Sequence, residues 1–491
     1  MIKKVIKSDG TEVPFNPEKL NQKCAWADVD DDIWTTIVLD GISKLQEGCK
    51  TSDIDKALIA ACTDHFTTAS FKLAGRIFMG TIYKEAYGSF KNIPTLKAHM
   101  KGMVAQGYWT TMKYSDKELA IFEKELKHYR DLSLNYSEVK QLKDKYLMQD
   151  RVRKLTLESP QMMYMGMAMA NMENQPKERR VRDVLKLYDF LSRKAINAPT
   201  PFMAFLRTPH KNYASCCVAT NNDTIPSLSA ADHIYYNMTA ASAGSGAHIK
   251  TRSAGDPVRG GTVEHQGKWG YINAVHAMVK ANLQGGRGGA ATVHIHALDP
   301  EIETMLKLSS IKTPQERRIM LQFSFGYTKL LAKKVQAKEQ WMLISYLHAP
   351  DLWEASYGKD LDKFEELYQK YDKLDVPKKY VSAYDLVLES IVQGVESGRV
   401  YQHDTQEMNR HTPFNDTIYS SNLCQEIALP TRGYDCVTDL YVDGESSGEI
   451  GLCNLAAFVA GRVSDEEIPE VLYYTLLMVD NVISLMEYPF P

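Results

Sequence analysis

The sequence predicts an α/β protein in three parts: a small α+β module, a helical region, and a larger region where strands and helices alternate. Three observations predict it. Near the N-terminus the alternating stretch Lys4-Val5-Ile6-Lys7, the turn Ser8-Asp9-Gly10 and the run Val13-Pro14-Phe15 together read as a hairpin. From about residue 95 to about 195, Met, Leu, Lys and Glu recur at helical spacing, as in Val184-Leu185-Lys186-Leu187-Tyr188, with few glycines. After Pro199-Thr200-Pro201, Gly-containing loops alternate with short apolar runs and helical segments.

Within the first module, Asn16-Pro17-Glu18 reads as a helix start, with Asn at the cap and Pro in the first turn. Thr51-Ser52-Asp53 reads as the cap of a later helix through Ile54 and Leu58. A length of 491 residues fits two or three domains. A content of 44% hydrophobic and 24% charged residues excludes disordered, collagen-like and coiled-coil classes. A net charge of -3 excludes a protein that coats nucleic acid, so any nucleotide ligand is expected to be small. No secretory signal is read at Met1-Ile2-Lys3-Lys4, and no run is read as approaching the roughly 20 apolar residues of a membrane span; the expected location is cytoplasmic.

The eight cysteines are too sparse for a disulfide scaffold, and none forms a Cys-x-x-Cys pair, so no metal site is expected. Two segments carry chemistry. Leu283-Gln284-Gly285-Gly286-Arg287-Gly288-Gly289 can bring backbone N–H groups and a guanidinium to an anion, and fits a plain surface turn as well. It matches neither the Walker loop nor the dinucleotide fingerprint. Asn422-Leu423-Cys424-Gln425-Glu426 places an amide, a thiol and a carboxylate two residues apart, which an extended backbone would put on one side. By itself it also fits a small buried thiol beside solvated polar groups. Adjacent Cys216-Cys217 fit either a strained ring disulfide or simple packing, and Cys453 in an apolar run reads alone as core.

Taken together, these segments resemble the large subunit of aerobic ribonucleotide reductases that depend on a separate radical-generating subunit. The resemblance runs along nearly the whole chain, through Pro199-Thr200-Pro201, Arg207-Thr208-Pro209, Ser215-Cys216, Pro257 to Gly261, Gln284 to Ala291, Ser421 to Pro430 and Glu449 to Leu455. It implies an ATP cone over residues 1–92, a helical domain over 93–198 and a partial ten-stranded α/β barrel over 199–491, with a finger loop at 420–430 and most of the second half-barrel missing. It implies that Cys424 becomes a thiyl radical that takes the 3′ hydrogen of a ribonucleoside diphosphate, that Glu426 is the base on the 3′ hydroxyl, and that Asn422 hydrogen-bonds the substrate. Thr200 and Ser215 would line the substrate pocket. Cys216 and Cys453 would supply two electrons by closing a disulfide, while Cys217 stands where the family has an apolar residue. The product would be a precursor for DNA synthesis.

The same resemblance assigns regulation. Asp223 and Arg252 would bind the specificity effector, ATP or a deoxynucleoside triphosphate, and the loop containing Gln284 and Arg287 would carry its signal to the substrate base. That loop is one residue shorter than usual. In the cone, Lys7, Asn16, Lys19 and Thr51 fit the nucleotide-binding pattern, whereas Val13, Asp55 and Glu85 fall where polar or basic partners are expected. The implied partners are the small (beta) subunit, whose metal generates the radical, a thioredoxin- or glutaredoxin-type reductant, and further copies of the chain in a homo-oligomer. A second polypeptide carrying the C-terminal half is also implied, the chain being read as one part of a split subunit or as a shortened ordinary one. No membrane or nucleic-acid partner and no covalently bound cofactor is implied. The competing reading is a catalytically silent, nucleotide-binding regulatory fragment.

Overall fold

In the computed structural model the chain is described over residues 2–7, 10–20, 31–284, 287–442 and 444–490, apart from the side chains of residues 31, 32, 283, 284 and 287. It divides into two compact units, Met1–Lys211 with Leu455–Leu485, and Asn212–Asn454 with Met486–Pro491.

In the first unit, β1 (Lys4–Ile6) and β2 (Glu12–Pro14) pair antiparallel with Val5 opposite Val13, as the apolar alternation predicts; Ser8 and Asp9 lie outside the described residues. The helix Thr51–Asp64 is capped by Lys50, whose N–H donates to Asp53 at 3.1 Å, so Thr51 opens the helix instead of capping it. Its Ile54 and Leu58 pack with Val5, Trp34, Leu73 and Ile77 in one apolar core. The helical region follows as Leu96–Ala105, Asp116–Glu125, Tyr136–Lys145, Pro160–Met172 and Lys177–Ser192, with a small hairpin of β3 (Gln149–Asp150) and β4 (Leu155–Thr156). β5 (Ile196–Asn197) pairs with Ala457–Phe458.

Every residue of Pro160–Met172 is buried. Beside it, Glu158 and Arg207 form an ion pair with both side chains 0% exposed, and Arg207 also donates to the carbonyls of Met203 (2.7 Å) and Tyr146 (2.8 Å). Trp109 Nε1 donates to the same carboxylate at 3.1 Å. Removing one member of such a pair costs about 3–5 kcal/mol, because the other charge stays buried. Arg207 therefore holds the helical region together.

The helix Ile468–Leu485 corrects one expectation: with its preceding turn, Asp465–Leu485 is long and apolar enough to cross a membrane by length and composition, with a mean hydropathy of 1.2. One face of it packs on protein, through Val471, Tyr474, Met478 and Val482, while Leu472, Leu476 and Ile483 are exposed. Tyr474 donates to buried Asp183 at 2.9 Å, and Asn171 Nδ2 donates to the carbonyl of Met478 at 3.0 Å.

The second unit is organised by one sheet. After β6 (Cys216–Thr220) and β7 (Gly244–His248) come two small hairpins, β8 (Pro257–Val258) with β9 (Val263–Glu264) and β10 (Leu283–Gln284) with β11 (Arg287–Gly288). β12 (Ala291–His296) and β13 (Gln322–Tyr327) rejoin the sheet, β14 (Gln340–Leu343) pairs with β15 (Lys379–Ser382) outside it, and β16 (Val400–Asp404) and β17 (Gly451–Cys453) complete it. The order is β16-β13-β12-β7-β6-β17. The first five strands are parallel, and β17 runs antiparallel to β6. Parallel neighbours need long crossovers, supplied here by helices such as Ile225–Ala240 and Ala383–Ser397, and such strands are buried on both faces. Every residue of β6, β7 and β12 is buried accordingly. Five parallel strands plus one reversed strand form a partial α/β barrel.

The segment from Ser421 to Ile427 crosses this sheet so closely that β7 must carry glycine beneath it. A Cβ on Gly246 would collide with the carbonyl of Ser421 and stand 2.9 Å from Asn422 Cα; one on Gly244 would come within 2.6 Å of Leu423 Cδ2. Gly246→Ala is therefore expected to destabilise the protein by about 2 kcal/mol through overpacking and to speed alkylation of Cys424 by lifting the loop. Thermal melts with peptide mapping of thiol modification measure both; an unchanged melt and rate would contradict the close approach.

Candidate active site

β17 and β6 bring the distant cysteines together, because their register places Cys453 directly opposite Cys216. Opposed residues of an antiparallel pair have Cα atoms about 4.5–5.5 Å apart, inside the roughly 4.4–6.8 Å that a disulfide spans. Both side chains are buried thiols. Asn422, fully buried, lies over the pair and points Nδ2 at Cys453 Sγ, 3.9 Å away. Ser215, next along the chain, gives its N–H to the carbonyl of Cys453 at 2.9 Å. Its hydroxyl is buried with no hydrogen-bond partner among the described residues. Such an orphaned group beside two thiols suits a bound ligand.

The hydrogen bond between the two thiols drives their titrations apart. Cys216 is held below the usual thiol range, first because Cys453 donates to it, against the opposing effect of burial; Asn422 and the backbone at Leu423 add donors. Cys453 is pushed up by the same hydrogen bond, by burial, and by the charges of Cys216 and Glu426. Cys216 is thus the readier thiolate. Cys217 projects to the opposite face of its strand, into the apolar core, and burial pushes its thiol up. It packs, and it is turned away from the pair.

Cys424 and Glu426 are exposed whereas Asn422 is buried, so these three do not line up as an extended alternation suggests. A turn at Leu423-Cys424, followed by Gln425 in the left-handed region (φ 66°), breaks the two-residue period. Glu426 still acts electrostatically on Cys216 and Cys453, and Tyr401 on β16 feels both Cys424 and Glu426.

Residues unnoticed in the sequence fix this loop. Thr292 Oγ1 donates to the carbonyl of Leu423 at 2.5 Å, and the N–H of Ser421 donates to His294 Nε2 at 3.3 Å. Gln425 donates to Ser324 Oγ, which in turn lies 2.6 Å from His403 Nδ1. Burial pushes His294 far down and His403 down to about 4, so both stay neutral and His294 Nε2 is available as an acceptor. The only sequence signal was His294 and His296 alternating within an otherwise apolar strand, Ala291-Thr292-Val293-His294-Ile295-His296.

Asp223 and Arg252 meet, Arg252 Nε donating to Asp223 at 2.9 Å, and both line a cavity of ≈ 520 Å³ with Arg259, Glu264, His265 and Tyr271. The hairpin β10–β11 places Gln284 opposite Arg287, but both side chains, and residues 285 and 286, lie outside the described residues. In the first unit, Lys7 and Thr51 line a cavity of ≈ 580 Å³ together with Lys50, Asp55, Lys84 and Glu85. Asn16 and Lys19 are not among its lining residues; Asn16 Oδ1 instead accepts the N–H of Glu18 at 2.9 Å, capping the helix that starts there. Val13 sits in the hairpin. Thr200 belongs to the first unit, its hydroxyl 3.3 Å from that of Tyr146.

This geometry now meets independent comparison. Residues 214–491 match the family described as ribonucleotide reductase, barrel domain; residues 132–211 match its all-alpha domain, and residues 3–78 match the ATP cone domain. The chain belongs to the ribonucleotide reductase large-subunit family. Among curated relatives it is 31% identical to the ribonucleoside-diphosphate reductase subunit alpha of Haemophilus influenzae, over 99% of this chain and 65% of that protein. It is 30% identical to the subunit alpha of Enterobacteria phage T4, again over 99% and 65%, and 32% identical to the reductase 1 subunit alpha of Escherichia coli, over 87% and 58%. The chain spans less than two thirds of the length of these relatives, 58–65%.

Removing the donor to Cys216 should raise its pKa. Cys453→Ala is expected to move the pH midpoint of Cys216 alkylation upward, so that less thiolate is present at neutral pH. Peptide mapping after modification across a pH series measures this, and an unshifted midpoint would contradict the hydrogen bond from Cys453 as the cause of the lowered pKa.

Proposed function

We propose that this chain supplies the reducing centre of a ribonucleoside-diphosphate reductase. The observation that carries the reading is Cys216 opposite Cys453 beneath a loop that bears Cys424 and Glu426. Cys424, as a thiyl radical, takes the 3′ hydrogen of a ribonucleoside diphosphate while Glu426 accepts the 3′-hydroxyl proton. The 2′ carbon–oxygen bond breaks and the hydroxyl leaves as water. Cys216 and Cys453 give up two electrons and two protons and close a disulfide; one proton completes the leaving water, the other with the two electrons supplies hydrogen to the 2′ carbon, Glu426 returns its proton to the 3′ oxygen, and Cys424 returns hydrogen to the 3′ carbon. Asn422 and Ser215 orient the substrate. The lowered pKa of Cys216 suits a thiol that must give up electrons quickly.

The radical comes from a small subunit carrying a metal, and a thioredoxin- or glutaredoxin-type protein reopens the disulfide. The cavity at Asp223 and Arg252 takes the specificity effector, a nucleoside triphosphate, and the cone takes ATP or dATP. The described sheet is open at β16, with exposed Tyr384, Leu388, Ile391 and Val395 on the adjoining helix. Turnover therefore draws on further polypeptide, homologous to the rest of the relatives, that closes the barrel over Cys424. A second reading, a nucleotide-binding regulatory chain without turnover, is favoured by the exposure of Cys424, since radical chemistry needs a sealed site.

Ribonucleotide reduction by this chain, combined with a radical-bearing small subunit and a polypeptide supplying the remaining length, decides between the two. Activity in the full mixture, lost to background with Cys424→Ser while nucleotide binding persists, is the expected outcome. An inactive mixture supports the regulatory reading, and full activity of Cys424→Ser removes that thiol from the reaction.

A further inference from the structure

The cavity of the cone is not built from the cone alone. Besides Lys7, Lys50, Thr51 and Lys56, its walls include Lys84 and Glu85 near the end of the helix Thr68–Tyr87, Lys143 from the helix Tyr136–Lys145, and Leu155 from β4. These last four lie beyond the matched cone segment, residues 3–78. Five lysines line the cavity against two carboxylates, Asp55 and Glu85, and the helix Thr51–Asp64 starts at its wall, adding its positive end.

Glu85 is already engaged on both sides. One oxygen accepts from Lys143 Nζ at 2.7 Å, and the other accepts from the hydroxyl (2.8 Å) and the N–H (3.2 Å) of Thr156. Lys143 also lies 5.4 Å from the centre of the Phe78 ring, which itself lines the cavity. The carboxylate that stands where the family pattern expects a polar or basic group is thus masked by a lysine that reaches the same cavity from the helical region.

We infer that Lys143 is a nucleotide-binding residue: when a nucleoside triphosphate enters the cone cavity, Lys143 leaves Glu85 for the phosphates, with Lys84 beside it, and Glu85 is freed from its clamp on Thr156. This inference rests on the reading of the cone as a nucleotide site and extends that site into the helical region. A polyphosphate carries more charge than one carboxylate and competes for the same ammonium, while the freed Glu85 is repelled. The exchange loosens the link among the helices Thr68–Tyr87 and Tyr136–Lys145 and the β3–β4 hairpin. Occupancy of the cone is thereby converted into a change in the helical region, because the ligand binds the two states of the clamp differently.

The test is equilibrium binding of ATP by the full 491-residue chain carrying Asp223→Ala and Arg252→Ala, so that the cone alone is read. Lys143→Gln is expected to weaken binding about tenfold, as loss of a hydrogen bond to a charged group does. Glu85→Gln should tighten it severalfold. The double variant Glu85→Gln, Lys143→Gln decides the role of Lys143: weaker binding than Glu85→Gln alone places Lys143 on the phosphates. Equal binding by those two variants means that Lys143 only neutralises Glu85 and overturns the inference, as does unchanged binding by Lys143→Gln. Failure of the parent chain to bind ATP at all overturns the cone reading itself, and the inference with it.

Discussion

The antiparallel register of β17 on β6 is the constraint on which the site depends. Five parallel strands would leave Cys216 facing no partner, and the segment around Cys453 lies more than two hundred residues further along the chain. A single reversed strand sets the two thiols opposite each other, and a slip of one residue would turn Cys453 to the wrong face. The opposed titrations of the two thiols follow from that pairing, and buried Asn422 and the orphaned hydroxyl of Ser215 lie beside it.

Above the pair, rigidity comes from the parallel strands. β7 contributes absence of side chain, at Gly244 and Gly246, so that the loop can approach; β12 contributes Thr292 and His294, and β13 contributes Ser324. Neutral, buried histidines suit this task because a charged imidazole in the same place would lose its acceptor nitrogen and demand a counter-ion. The result holds Asn422 inward while Cys424 and Glu426 remain outward, on the open side of a partial barrel.

Much of this was legible in the sequence, for identifiable reasons. The hairpin at Lys4 to Pro14, the helix containing Val184 and Leu187, and the alternation of strands and helices after Thr200 are written in local periodicity, which the structure preserves. Asp223 and Arg252, paired by the family resemblance, do meet. Less legible was whatever depends on tertiary contact. The alternation of Asn422, Cys424 and Glu426 fails because the chain turns at Leu423-Cys424 and Gln425 is left-handed, and nothing in these side chains announces that conformation. Asn16 fits a binding pattern yet spends its carbonyl oxygen on a helix start, while Lys84 and Lys143, unmarked by any motif, reach the cavity. The helix Ile468–Leu485 does not read as a long apolar element because tyrosine, threonine and asparagine punctuate it.

The central claim is that Cys216 and Cys453 form the electron-donating pair beneath Cys424. It is tested most directly by a single turnover of the assembled, pre-reduced enzyme without external reductant, followed by peptide mapping of its disulfides. The account predicts one Cys216–Cys453 disulfide for each deoxynucleotide formed, with Cys217 still a thiol. Deoxynucleotide formed with both cysteines still reduced, or with Cys217 in the bond, would contradict it.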